Sequence, residues 1–190
     1  MTLSVIVPTL GRSTLEAAVI SAFSQLADGD EIIVVADPAG NRSAVRALCE
    51  HLSPVVRYAE AVSDEIGQGR AQRHEGMRLA RGTHLCFLDD DDTWEPGTLE
   101  LFRGAACDRP VIFRVQFPDR VCWDQPRLWK DNISTLGLLV PNRPELLGSW
   151  DGWYGIRGGD YTFARQTAER MGGVVWREEI VAYATTAGPS

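Results

Sequence analysis

His84-Leu85-Cys86-Phe87-Leu88-Asp89-Asp90-Asp91-Asp92 is the stretch whose reading decides the fold. Its first five residues are short and mostly apolar, which reads as a buried strand. Four carboxylates then follow without a break. They repel one another, and the end of a buried strand makes that repulsion costly. A hard divalent cation would relieve it, using one or two carboxylates together with substrate phosphate oxygens. The bland alternative is a solvated acidic turn. In open parallel sheets, ligands bind beyond the carboxyl ends of the strands, so this end marks the rim to inspect.

The flanking sequence supplies the rest of such a sheet. Residues 3–7 (Leu-Ser-Val-Ile-Val) and 31–36 (Glu-Ile-Ile-Val-Val-Ala) read as buried strands, the first ended by Pro8. Between them Ser13-x-x-Glu16 reads as a capping box. Leu15, Ala18, Val19, Ala22, Phe23 and Leu26 then form one helical face. Asn41 is placed to cap a second helix through Val45, Leu48, Cys49 and Leu52. A short strand at 55–58 and a helix at about 70–81, entered through Gly67 and Gly69, lead to the aspartates. Pro96 suits the first turn of the next helix. This alternation predicts an α/β fold around a mostly parallel sheet with right-handed crossovers.

The later half is less regular. It offers a strand at 111–117, a long connection over 118–132, an apolar run at 136–140, a helix at about 160–171 and a final strand at 174–183. No linker interrupts the chain, so 1–190 reads as one domain with a binding half (about 1–102) and a second half (about 103–190).

Composition narrows the function. The 190 residues carry a net charge of −7, which argues against broad nucleic-acid binding. No apolar stretch is long enough for a membrane span, and the N-terminus lacks a basic leader, so a cytoplasmic protein is expected. Cys49, Cys86, Cys107 and Cys122 show no metal spacing, and disulfides are not expected. Of the 19 cations, 18 are Arg, a skew that base composition alone can produce. Six Trp are many for this length. Trp123, Trp129, Trp150 and Trp153 fall in the irregular half, either as core filling or as a wall on which a ligand stacks.

The run Phe87-Leu88-Asp89-Asp90-Asp91-Asp92-x-Trp94-x-Pro96 resembles the D-x-D segment of nucleotide-sugar glycosyltransferases of the GT-A fold, most closely the large inverting family called family 2. Ser4-Val5-Ile6-Val7-Pro8-Thr9 resembles that family's opening strand, and Ile33-Val34-Val35-Ala36-Asp37 its second. Gly67-x-Gly69-x-Ala71-x-Arg73-x-x-Gly76 resembles its glycine loop and arginine-bearing helix. Gly158-Gly159-Asp160-Tyr161 stands where the family has an acidic pair holding the base. The chain departs from the pattern at Gly11, His74 and Gly159, in place of two asparagines and one acid.

The resemblance implies a GT-A three-layer sandwich and a metal-dependent, inverting glycosyltransferase. Its donor would be a nucleoside diphosphate sugar, expected to be a uridine diphosphate sugar. Its acceptor would be a hydroxyl of unknown identity. By the same resemblance Pro8, Thr9, Asp37, Arg73, Asp89 and Asp90 bind the donor. Asp91, with Asp89, holds Mn²⁺ or Mg²⁺, Asp92 assists, and Asp160 is the catalytic base. A helix N-terminus at Asp160 would lower its pKa. Each residue keeps a simpler reading: Asp160 as an N-cap, Asp37 as a turn former, Arg73 and His74 as ordinary polar helix residues. Two rival functions stay open. One is a sugar-phosphate nucleotidyltransferase, with Gly11-Arg12 as its phosphate loop. The other is a nucleotide-sugar-binding module degenerate at Gly159.

Overall fold

Leu3–Thr9 (β1) and Glu31–Ala36 (β2) are buried along their whole length, as apolar strands covered on both faces must be. They pair in parallel from Ser4↔Glu31 to Thr9↔Ala36. The computed structural model describes residues 1–52, 54–62, 69–151 and 158–184, so the expected roles of Gly67 and Trp153 lie outside it. Val56–Glu60 (β3) and His84–Phe87 (β4) extend the parallel sheet on either side of that pair. Beyond β4 the sheet takes Leu138–Pro141 (β8) antiparallel, then Val111–Gln116 (β6), then Val175–Tyr183 (β9) parallel to β6. Thr93–Trp94 (β5) closes the far edge against β9, and Val121–Cys122 (β7) pairs with β6.

The two sheet faces receive different helices. Leu3, Val5 and Val7 pack with Leu15–Phe23 (α1), Arg42–Leu52 (α2) and Thr98–Ala105 (α4), through Leu15, Val19, Val45, Cys49, Leu99 and Phe102. Ile6, Ile33, Leu85 and Phe87 point to the other face, where Arg70–Leu79 (α3) and Gly159–Arg170 (α5) lie. Alternate strand residues thus feed opposite layers, giving the expected three-layer α/β sandwich. Gly76 lets α3 settle on β1, because a Cβ there would collide with Ile6.

Several local expectations change. β1 continues through Pro8 to Thr9 instead of ending there. The Ser13–Glu16 capping box does not form: Thr14 occupies the cap position and makes no side-chain cap bond. Asn41 does cap α2, accepting the Ala44 N–H at 3.3 Å. Pro96 precedes α4, whose cap is Gly97 at φ 91. β7 arises inside the stretch read as a long connection, and β5 where no strand is expected. All four cysteines are free.

Candidate active site

Pro8 opens the site by what it lacks. The β1–β4 ladder runs to the Leu88 N–H on the Ile6 carbonyl, at 3.0 Å. The next bond of a parallel ladder needs an N–H from residue 8, and proline has none. The ladder stops, and Asp89–Asp92 leave the sheet between the ends of β1 and β4.

Asp90 turns back onto the end of β1. Its carboxylate accepts the Thr9 hydroxyl at 2.6 Å, the Leu10 N–H at 3.2 Å and the Arg12 guanidinium at 2.7 Å. It is buried, and Thr9 is 4% exposed. The Thr9 hydroxyl also accepts the Gly11 N–H at 2.8 Å. Both side chains are therefore occupied in shaping the loop after β1.

Asp89 and Asp91 are the partly exposed members of the run, and Asp90 and Asp92 the buried ones. Arg12 reaches Asp91 at 3.2 Å, and its side chain is one-third exposed. Burial, together with Asp89 and Asp90, raises its pKa against the opposing pull of Arg12. Asp89 is ion-paired to Arg73 and accepts the Thr135 hydroxyl at 3.3 Å. Asp92 is buried, and its N–H closes a turn onto the Asp89 carbonyl.

Asp37 ends β2 beside this rim, with its N–H on the Thr9 carbonyl at 2.8 Å. One carboxylate oxygen accepts the Ala39 N–H at 2.7 Å, and the other is bonded to Gln72 of α3. Asp37 forms the turn that its simpler reading expects, and it sits at the rim with acceptor capacity to spare.

Asp160 comes to the same place from the opposite half. It lies in the first turn of α5, after a cap at Gly158 with φ 95, so it is not the cap residue itself. Its carboxylate accepts the main-chain N–H groups of Thr135 and Asp160, and it feels the charges of Arg73 and Asp89. Burial raises its pKa to about 6, outweighing Arg73 and both N–H bonds. The depressed pKa expected from the helix N-terminus is thus reversed. At neutral pH the group is still mostly ionised, in the range suited to a general base.

A cavity of about 290 Å³ opens beside Asp160, with Arg70, Arg73, Arg120, Trp150 and Tyr161 among its walls. Trp150 is fully buried, stacked on Phe163 at 4.1 Å and 8°, with Arg73 over its ring at 5.1 Å. His74 accepts the Trp150 N–H at 3.4 Å and so helps set that wall. Trp123 is core, packed on Trp176, and Trp129 is exposed. Thr135, Arg70 and Arg120 also lie at this place, and motif reading missed them. They are brought here by position alone, and no sequence motif marks them.

The profile described as Glycosyl transferase family 2 matches residues 4–170. The chain belongs to glycosyl transferase family 2. An "Uncharacterized glycosyltransferase" of Haemophilus influenzae is 33% identical over 100 residues, covering 52% of this chain and 32% of that protein. The crystal structure of S. aureus TarS 1-349 in complex with UDP-GlcNAc matches with TM-score 0.73 at 15% identity, over 100% of this chain and 60% of that one. The mannosyltransferase PcManGT from Pyrobaculum calidifontis, in complex with GDP-Man and Mn2+, matches with TM-score 0.65 at 21% identity, over 95% and 56%. These structures share the GT-A sandwich. This family 2 chain spans about a third of the curated relative and about three-fifths of the solved ones. Among its described residues no helix is long and apolar enough to cross a membrane.

The family 2 aspartates suit a hard cation in one respect and not in another. Among the described residues no cluster of three or more ligating side chains forms. Mg²⁺ and Mn²⁺ sites of this kind need only one or two carboxylates, the substrate's phosphates supplying the rest. Asp91 fits that demand, being a partly exposed oxygen donor whose charge is disfavoured by burial and by Asp89 and Asp90 against the pull of Arg12. Asp89 is engaged by Arg73 and Thr135, so it fits a bond through water better than direct ligation.

Proposed function

We propose that this protein transfers a sugar from a nucleoside diphosphate sugar to an acceptor hydroxyl, with inversion at the anomeric carbon. The observation that carries this reading is the chain Asp91–Arg12–Asp90 and Asp89–Arg73 on one rim, with Asp160 within electrostatic reach of Arg73 and Asp89. A donor-binding end and a proton acceptor thus lie side by side.

Each residue has a task in that reaction. Asp37 accepts an N–H from the nucleobase, for which uridine is the proposed identity. Asp91 would hold Mn²⁺ or Mg²⁺, whose chemistry is to neutralise charge on the leaving diphosphate. Arg73 holds Asp89 in place and contributes positive charge beside it. Asp160, deprotonated at neutral pH, takes the proton of the acceptor hydroxyl as that oxygen attacks. Attack from the face opposite the diphosphate inverts the configuration.

The rivals fare worse. A nucleotidyltransferase needs Arg12 free for phosphates, whereas Arg12 is spent on Asp90 and Asp91. Loss of the acid at 159 does not argue for a dead module: a Cβ on Gly159 would press on the Trp150 carbonyl at 3.1 Å. A side chain there would need the Trp150 backbone to give by a few tenths of an ångström, and Asp160 keeps its own partners. The test is release of nucleoside diphosphate from a panel of UDP-sugars and GDP-mannose with Mn²⁺. Slow release that Asp160→Asn abolishes supports the transferase, and release of pyrophosphate from a nucleoside triphosphate refutes it.

A further inference from the structure

The pocket beside Asp160 is cationic, in a chain whose net charge is −7. Arg70, Arg73 and Arg120 line it against Asp131 and Asp160. Other walls are apolar, among them Phe117 and Ile133. A cation in such surroundings is costly unless an anion faces it. Arg73 has Asp89. Arg120 has no such partner: among the described residues no carboxylate ion-pairs with it. Its enclosed Nε likewise meets no hydrogen-bond acceptor there.

Arg120 is nevertheless held firmly. Its carbonyl accepts the Phe117 N–H at 2.7 Å and the Gln116 amide at 3.2 Å, closing the turn between β6 and β7. Its guanidinium lies over the Phe117 ring at 5.3 Å. Arg120 and Asp160 both line this one cavity. At about 290 Å³ the cavity is at the small end of ligand sites, sized for one sugar or polyol unit and not for a whole nucleotide sugar.

Resting on the transferase reading, we propose that this pocket receives an acceptor bearing a phosphate or carboxylate. The anion pairs with Arg120 while a hydroxyl of the same molecule meets Asp160. A guanidinium fork suits both anions, through paired N–H donors. Holding the acceptor by its charge orients the hydroxyl without demanding many contacts to the rest of it.

Calorimetric titration with glycerol 3-phosphate and, separately, glycerol tests this, with Mn²⁺ and either UDP or GDP present. Glycerol 3-phosphate is expected to bind and glycerol is not. Arg120→Gln should weaken glycerol 3-phosphate by about tenfold or more and leave nucleoside diphosphate affinity nearly unchanged. Binding of both probes alike, or of neither, overturns the proposal. Loss of nucleoside diphosphate affinity in Arg120→Gln assigns the arginine to the donor's diphosphate and overturns it too. Should that variant not fold, the two-probe comparison on the wild-type protein decides alone. A protein that binds glycerol 3-phosphate but no nucleoside diphosphate refutes the transferase reading and upholds the anion site.

Discussion

Thr9 and Asp90, 81 residues apart in the chain, are joined by a 2.6 Å hydrogen bond between the ends of β1 and β4. That bond, with those from Leu10 and Arg12, makes Asp90 the member of the aspartate run that shapes the rim. Alternation along an extended segment predicts a mild effect for Asp90→Ala, but its burial argues otherwise. The variant should lose about 2–5 kcal/mol of stability in denaturant unfolding, since several bonds to a buried charge vanish together.

Asp91→Ala should behave in the opposite way. Its side chain is one-third exposed and carries little of the fold. Unfolding midpoints should hardly move, while the Mn²⁺-dependent part of donor affinity disappears. Calorimetry with and without Mn²⁺ reads this directly, and metal-dependent binding that survives in Asp91→Ala would be against it.

Asp160→Asn separates binding from chemistry. Asparagine can still accept the Thr135 N–H but cannot take a proton. Turnover should fall by about 10²–10⁴-fold while donor affinity stays nearly level. Turnover and calorimetric affinity measured on one preparation check it.

The raised pKa of Asp160 sets two pH dependences. For catalysis the base must be ionised, so kcat/KM should decline as pH falls through about 6. For stability the sign is reversed. The folded carboxyl binds its proton more tightly than the unfolded one, whose ordinary value is 3.8. Its contribution is full below about pH 3.8 and is lost as pH rises through about 6. Asp160→Asn should therefore be more stable than wild type at neutral pH, by about 1–3 kcal/mol, with the gap closing in acid.

Asp37→Asn tests the nucleobase contact. Its remaining carbonyl can keep the Ala39 turn, and its new amide can meet Gln72 Oε1, a buried oxygen without a hydrogen-bond partner among the described residues. What it loses is the charge. UDP affinity should weaken by about 1–3 kcal/mol, the scale of a hydrogen bond to an ionised group.

The strands that frame the rim were readable because they are continuous apolar runs, and β2 matches its expected 31–36 span residue for residue. β5 was not, since two residues carry no period and their partner strand lies some 80 residues on. Asn41 announced a cap that forms, whereas Ser13 announced one that does not. The D-x-D run, Arg73 and Asp160 could be read as motifs. The sign of the Asp160 shift could not, because it depends on how deeply folding buries the carboxyl. Thr135 and Arg120 had no motif to carry them, since each matters only for what the fold sets beside it.

The pairing of β5 with β9 also governs when the site can exist. Thr93 and Trp94, directly after the aspartates, bond to Tyr183 and Ala182, and the Val181 carbonyl takes the Glu95 N–H and the Thr98 hydroxyl. A nascent chain that has left the ribosome only through residue 102 holds every aspartate of the run but not the strand that braces them. Contacts this distant in sequence form late. Donor binding should thus be acquired only once β9 has emerged, in one step with the base, instead of being inherited from a prefolded first half.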